Sequence, residues 1–423
     1  MNKKIKKIVA SLLAFSATCV LFHGGATSVK ASSNATVNLS STKQVIRGFG
    51  GMNHVSWAGD LTAAQRETAF GNGNNQLGFS VCRIFVDDNK NNWNKELATA
   101  KNAISHGALV FATPWNPPAA LTEKFNHNGD ANAKRLRHDK YAEYAQHLNN
   151  FVQYMKNNGV LLYAISIQNE PDYGKDWTWW TPEEVHTFTR DYVGTIKGCK
   201  VMSAESFSYQ KNMYNPVLND PKALANIDIL GTHTYGTQVK DMPYSLFNQK
   251  GAGKDLWMTE VYVPNSDANS ADRWPEALDV ANHINNCMVE GNFQAYTWWY
   301  IRRQYGPMKE DGNISKRGYM MAHFSKFVRP GYVRVDVAKS PATNVFLSAY
   351  KGNKKAVIIA INKGTTTLNQ SFNIQNGSTS KVTPYVTTGS QNLAKSTDIN
   401  VANGSFTASL PAQSVTTFVA DLN

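Results

Sequence analysis

Cysteine is scarce: the 423 residues hold four, at positions 19, 82, 199 and 287. So sparse a set argues against a disulfide framework, and Cys82 sits in an apolar β-like run where a thiol packs as a small hydrophobe. No Cys/His cluster has zinc-ligand spacing. The run Asp87-Asp88-Asn89 lacks partners at calcium-ligand spacing and reads as a solvated loop. No Gly-rich phosphate loop follows a β-like run, which weakens any nucleotide-binding reading. Neither a metal nor an organic cofactor is therefore expected. Repeats and low-complexity stretches are missing too, and beyond the first residues no apolar run approaches the ~20 residues of a bilayer span. Stability has to come from a large hydrophobic core, which a chain of this length can build.

Charge is one-sided but modest. Lys and Arg number 43 against 31 Asp and Glu, a formal +12, and the aromatics are set in no nucleic-acid-binding motif. Residues 1–31 carry five lysines and no acid, so without them the balance falls to +7. A surplus of this size fits a solvated basic surface or attraction to an acidic polymer, and does not choose between them. Residues 1–31 read as a secretory leader: Lys3, Lys4, Lys6 and Lys7, then the apolar Ile8–Phe22, then Val29-Lys30-Ala31 with small residues where a signal peptidase reads. A retained N-terminal anchor is the alternative. The expectation is a secreted, extracellular protein that starts near Ser32 and has no membrane association, with a monomer as the default.

From about residue 44 to 331 short β-like runs alternate with helical segments. The runs are Val45–Phe49, Ser80–Val86, Ala108–Ala112, Leu161–Ile167, Lys200–Ala204, Ile227–Gly231, Leu256–Thr259 and Gln294–Trp298. Eight strands over this span fit a (β/α)8 TIM barrel better than a doubly wound sheet. Apolar residues from Tyr141 to Met155 recur at three- and four-residue steps, one face of a helix. Thr181-Pro182-Glu183-Glu184 reads as an N-cap, an N1 proline and a capping-box acid, and Trp274-Pro275-Glu276 opens another helix in similar fashion. Residues 332–423 are β-rich with no helical period, a small β-sandwich. The run Thr36–Leu39, within residues 32–43, is expected to add an N-terminal strand to it.

In such a barrel the C-terminal strand ends face the active site. Those ends read Trp115-Asn116, Asn169-Glu170, Glu205, His233 with Tyr235, Glu260 with Tyr262, and Trp299. An acid closing an apolar strand is costly to bury unpaired, and Glu170 and Glu260 would stand on opposite walls of one mouth. Such a pair can protonate a leaving oxygen and attack an anomeric carbon. The bland alternative is two salt-bridged structural acids. Glu205 is a weaker candidate, and His233 is either a cleft hydrogen-bonder or a satisfied structural histidine. Trp57, Trp115, Trp177, Trp179 and Trp180 are candidate sugar platforms, Trp115 first among them, although one of the Trp177–Trp180 group should staple the helix that follows.

Asn169-Glu170-Pro171 resembles the NEP signature of the clan of retaining (β/α)8 glycosidases, and Trp257-Met258-Thr259-Glu260-Val261-Tyr262 resembles the strand-7 motif of glycoside hydrolase family 30. Gly48-Phe49-Gly50-Gly51-Met52, Thr113-Pro114-Trp115-Asn116-Pro117-Pro118 and Leu410-Pro411-Ala412-Gln413-Ser414-Val415 are similar to that family too. The resemblance spans nearly the whole chain after the leader. It implies Glu170 as acid/base, Glu260 as nucleophile, Asn169 on the sugar 2-hydroxyl and Arg83 orienting the nucleophile. Trp298-Trp299-Tyr300-Ile301-Arg302-Arg303-Gln304-Tyr305 resembles the family's bacterial members that cut glucuronoxylan. That likeness implies a glucuronoxylan substrate, with Arg303 pairing a glucuronic acid branch and Trp299, Tyr305, Ser266 and Tyr262 assisting. An arginine fork grips a carboxylate through two parallel hydrogen bonds; read without the family, Arg303 is a surface ion-pair residue. Arg302 is its rival and should point elsewhere. The competing readings are a β-1,6-glucanase or glucosylceramidase of the same family, and a glycan-binding protein that does not cut.

Overall fold

A computed structural model describes residues 30–31 and 33–423. The leader expected over residues 1–31 lies outside the described residues, apart from Lys30 and Ala31, which pair with Leu368 and Asn369. Eight parallel strands close a barrel: β1 (Gly48–Met52), β2 (Val81–Val86), β3 (Leu109–Pro114), β4 (Ala164–Ser166), β5 (Lys200–Met202), β6 (Ile229–His233), β7 (Asp255–Glu260) and β8 (Ala295–Tyr300). Pairing of Ala295 with Gly48 and Tyr296 with Phe49 joins the last strand to the first. Gly50 makes the neighbouring seam possible, because a Cβ there would sit 1.7 Å from the Val81 carbonyl oxygen. Val81, Phe111, Met202, Ile229 and Trp257 plug the barrel floor, as side chains fill a closed parallel barrel rather than leaving a pore. On β2 alternation then carries Arg83 and Phe85 upward on the same inner face.

The helix Tyr141–Asn157 buries the expected face, including Tyr144, Leu148, Phe151 and Met155. Thr181 caps Pro182–Asp191 with a full capping box to Glu184, and buried Trp180 packs edge-on against Phe188 at 5.5 Å. Two expectations shift. The first barrel strand starts at Gly48 rather than Val45, since Val45 closes a long outer strand, Ala35–Val45, that pairs with Val333. The helix expected at Trp274-Pro275-Glu276 starts at Leu278; Glu276 does not cap it but takes the Arg317 guanidinium at 2.8 Å.

Apart from a separate hairpin, Thr122–His127 with Asp130–Leu136, the remaining strands form a mostly antiparallel sheet folded into a sandwich. Ala35–Val45 lies inside it, antiparallel to Val333–Val337 and parallel to Leu368–Gln375. Ala35, Val37, Phe372, Phe406 and Phe418 belong to its inner core. Its other face adds Tyr350, Val357, Ile359, Ile361 and Val415 to the barrel's own core. The barrel and sandwich are therefore welded by apolar packing.

His323 rivets this weld. Buried at the end of helix Lys316–Ser325, it bonds Thr417 Oγ1 and Thr387 Oγ1 at 2.8 Å each, and burial pushes its pKa down to about 3. A histidine held neutral gives its full stability above the unfolded pKa of about 6.5 and loses it as pH falls toward the folded value, about 3 kcal/mol by pH 4. His323→Leu is expected to be about 1–3 kcal/mol less stable than wild type at pH 7, with the gap narrowing steadily toward pH 4. Urea unfolding across that range measures it, and a constant gap would show that His323 does not titrate with folding.

Candidate active site

Departures from regular strand geometry aim the two candidate carboxylates. On β7, Thr259 and Glu260 oppose the single residue His233 of β6, a bulge that swings Glu260 toward the mouth. Glu170, just past β4, has φ +43°, in the left-handed region, a conformation that costs a non-glycine residue about 1 kcal/mol or more. Its backbone is over-determined: its N–H donates to the Glu205 carbonyl at 2.8 Å, and its own carbonyl accepts from Tyr173 N–H and from the Trp177 indole.

Arg83 organises the floor. Its guanidinium pairs with Glu260 Oε2 and, through Nη2, reaches Asn169 Oδ1 at 2.8 Å and Glu205 Oε2 at 3.2 Å. Its Nε donates to Thr113 Oγ1, which donates in turn to Glu205 Oε1 at 2.8 Å. Tyr235 OH donates to Glu260 Oε1 at 2.9 Å, so both nucleophile-candidate oxygens are held. At the end of the neighbouring β6, His233 Nδ1 lies 2.9 Å from Glu170 Oε1, and its Nε2 lies 3.4 Å from Glu205 Oε2. Oxygens of Glu170 and Glu260 approach within 4.8 Å.

The charges explain one another. Burial raises Glu170 most, the Glu260 charge adds to it, and the His233 hydrogen bond opposes both; the result is about 7. Burial disfavours charge on His233, yet Glu260, Glu170 and Glu205 outweigh it and hold the imidazole up to about 9. Burial likewise opposes ionisation of Glu205, but Arg83 and His233 pull it down to about 2. With Glu170 protonated, two cations face two carboxylates and the cluster is neutral. Glu170, His233 and Glu260 have metal-ligand proximity, but Arg83 and cationic His233 already supply the positive charge a metal would bring, so the donor set suits proton chemistry better.

Around this floor stand the other candidates. Trp115 is 2% exposed, with its ring under the Arg83 guanidinium at 4.8 Å; it is a wall of the arginine's pocket and presents little open face. Among these candidates the exposed aromatic is Trp57, at 49%; Tyr173, three residues after Glu170, is exposed as well. Trp57 stacks on buried His54 at 4.0 Å and meets half-buried Trp299 at 6.2 Å. Tyr235, Tyr262 and Tyr305 run edge to face across the mouth at 5.1 and 5.5 Å. From Tyr235 a groove of about 680 Å³ continues past Thr237 and Lys211. Arg303 lies beyond Tyr305's side of the mouth, half-buried over the Tyr300 ring at 4.9 Å. Arg302 points away, to the Ala58 carbonyl and Gln65 Oε1. Ser266 is exposed on the loop after β7 and makes no hydrogen bond to Arg303 or Tyr262. Sequence reasoning missed His54, which carries no motif, and Glu310, which pairs with Arg303.

A closed parallel barrel whose mouth holds two facing carboxylates, one with a raised pKa, defines a glycoside hydrolase. The model of the glycosyl hydrolase family 30 TIM-barrel domain matches residues 71–241. Glucuronoxylanase XynC of Bacillus subtilis (strain 168) is 66% identical over 422 residues, covering 100% of both chains. A GH30 endoxylanase structure from Clostridium papyrosolvens C71 is similar at a TM-score of 0.87 and 50% identity, over 92% of this chain and 100% of that one. The glycoside hydrolase family 30 subfamily 8 xylanase Xyn30A from Clostridium acetobutylicum follows at 0.82 and 40%, over 92% and 99%. The chain belongs to glycosyl hydrolase family 30.

A carboxyl held up to about 7 by the fold makes a stability statement. The folded state favours the protonated form, so Glu170's contribution is complete below the unfolded value of about 4.5 and is lost as pH rises through 7. Glu170→Gln should therefore be more stable than wild type at pH 8, by about 2–3 kcal/mol, and the gain should vanish near pH 4.5. Thermal unfolding at the two pH values decides it; an equal gain at both would remove the raised pKa.

Proposed function

We propose that the protein is a secreted, retaining endo-β-1,4-xylanase that cuts glucuronoxylan beside a glucuronic or methylglucuronic acid branch. The observation that supports the mechanism is that one oxygen of Glu170 and one of Glu260 lie within 4.8 Å of each other, a close approach that favours the about 5–5.5 Å carboxyl separation of retaining enzymes over the about 6.5–9.5 Å of inverting ones. Protonated Glu170 delivers its proton to the leaving xylosyl oxygen while Glu260 attacks the anomeric carbon, giving a xylosyl-enzyme ester. Esterification removes the negative charge that helped raise Glu170. Its pKa then falls, and with cationic His233 beside it Glu170 becomes the carboxylate that activates a water. Asn169 supports the sugar contact: Arg83 takes its Oδ1, so its Nδ2 is a buried donor with no partner among the described residues. A buried donor of that kind calls for an acceptor, and a sugar hydroxyl supplies one.

Branch direction rests on Arg303, whose side chain is 36% exposed at the end of the Tyr235–Tyr262–Tyr305 run, and on the likeness to XynC. Trp299, Tyr262 and Tyr305 supply walls and hydroxyls there, with exposed Ser266 on the neighbouring loop; Trp57 offers a face to the xylan backbone. Export is supported by the leader-like residues 1–31, and no helix among the described residues is long and apolar enough to cross a membrane. Xylan needs no cofactor in this scheme.

Two measurements test the reading. Glu260→Gln should lose on the order of 10³-fold or more in kcat on glucuronoxylan while remaining folded; a variant as active as wild type would leave only a binding protein. Arg303→Ala should lose about 10–100-fold in kcat/KM on glucuronoxylan, and wild type should release products that each carry one acid branch at a fixed position. Equal cleavage of branched and unbranched xylan by both proteins would keep the catalytic pair and discard branch direction.

A further inference from the structure

Arg303 is already facing a carboxylate. Glu310, on the loop that follows β8, stands between the two adjacent arginines: Oε2 lies 3.3 Å from Arg302 Nε and Oε1 lies 3.5 Å from Arg303 Nη1. The two contacts differ in kind. Arg302 is a fixed post, tied to the Ala58 carbonyl, to the Asp60 carbonyl at 3.4 Å and to Gln65 Oε1 at 3.0 Å, with its side chain 16% exposed. Arg303 is held by Glu310 through one long contact at a half-exposed position, the geometry of a weak, exchangeable pair. Glu310 is kept beside the fixed Arg302 charge by a 3.3 Å ion contact that is not a hydrogen bond, and its one hydrogen bond to the pair is the long one to Arg303, which another anion can take. With Glu310 in place the trio carries a net single positive charge, the complement of one carboxylate.

From this arrangement we infer that Glu310 is a specificity-determining residue: a built-in competitor that occupies Arg303 until a branch carboxylate displaces it. This rests on the proposed role of Arg303 in branch binding. A stray anion or a monodentate contact gains little over the resident carboxylate, whereas a glucuronate that engages the guanidinium fork through two parallel bonds replaces a 3.5 Å contact by two short ones. The competitor raises the threshold for binding and sharpens the choice in favour of a well-placed acid. It also shields the site, since a free pair of arginines would draw acidic polymer without regard to register.

Glu310→Gln keeps the side chain's shape and an amide oxygen while removing the charge. The variant is expected to lower KM for glucuronoxylan about two- to fivefold, the scale of one exposed ion pair, with kcat unchanged. Its KM should also rise more steeply with added NaCl than that of wild type, because the exposed positive charge at the site has doubled. A KM that is unchanged or raised overturns the proposal, a rise meaning that Glu310 orients Arg303 instead of competing for it. Arg303→Ala and the double variant in the same assay separate the two levels. If Arg303→Ala leaves KM and kcat untouched, the branch role of Arg303 is wrong and the competitor role falls with it. If Arg303→Ala is impaired and the double variant shows no further drop in KM, the effect of Glu310 runs through Arg303 as inferred.

Discussion

A guanidinium with no access to water has to be neutralised where it stands, and Arg83 is neutralised by Glu205 and Glu260 together. Taking such a charge out of water costs several kcal/mol, and leaving either acid unpaired in the same place would cost a comparable amount. The three groups are therefore obligatory to one another. Their common solution also draws in Asn169, Thr113 and, through Glu205, His233. The orientation of the Asn169 amide descends from where β2 places one residue, while the charge of His233 rests on burial overcome by Glu260, Glu170 and Glu205, and the proton of Glu170 rests first on burial. Trp115 completes the pocket by covering the guanidinium's face, which is why a residue that reads as a sugar platform is buried.

The barrel was readable because its grammar is repetitive. Eight apolar runs bounded by polar or glycine-rich turns can hardly be arranged otherwise, and each run falls on or beside an observed strand. The misfits have local causes. Val45 belongs to the outer sheet although its side chain looks like barrel, and Glu276 is claimed by an arginine forty-one residues further on, a partner no local pattern announces. Glu184 keeps its capping role because only one of its oxygens is claimed elsewhere: Oε2 accepts from Thr181 N–H while Oε1 meets His138 at 2.7 Å.

At the mouth, residue types were legible and their relations were not. Glu170 and Glu260 stand out in sequence as acids that end apolar strands. What brings their oxygens together is a β-bulge at Thr259 and a left-handed residue at Glu170, and neither leaves a mark in the sequence. The roles of Glu205 and His233 depend on distances of 3.4 Å or less to groups on other strands. Glu310 was invisible for the same reason: between Lys309 and Asp311 one more charge has no distinguishing feature until two arginines are seen beside it.

The strand Ala35–Val45 sits between strands that begin at Val333 and Leu368, with Val37 opposite Val337. Those partners are made only after the barrel. A ribosome emits the first strand and then the entire barrel before any surface exists for that strand to join. Closing so long a loop is entropically slow to arrange, and the sandwich core stays open until both chain ends are present. The barrel's outer helices, Leu278–Val289 and Lys316–Ser325, would meanwhile expose the apolar face that Tyr350, Val357 and Ile359 later cover. The architecture thus makes completion of the chain a checkpoint: a truncated product lacks the last strand, Ser414–Asp421, and cannot hide its sticky surface, leaving it conspicuous to proteases and chaperones.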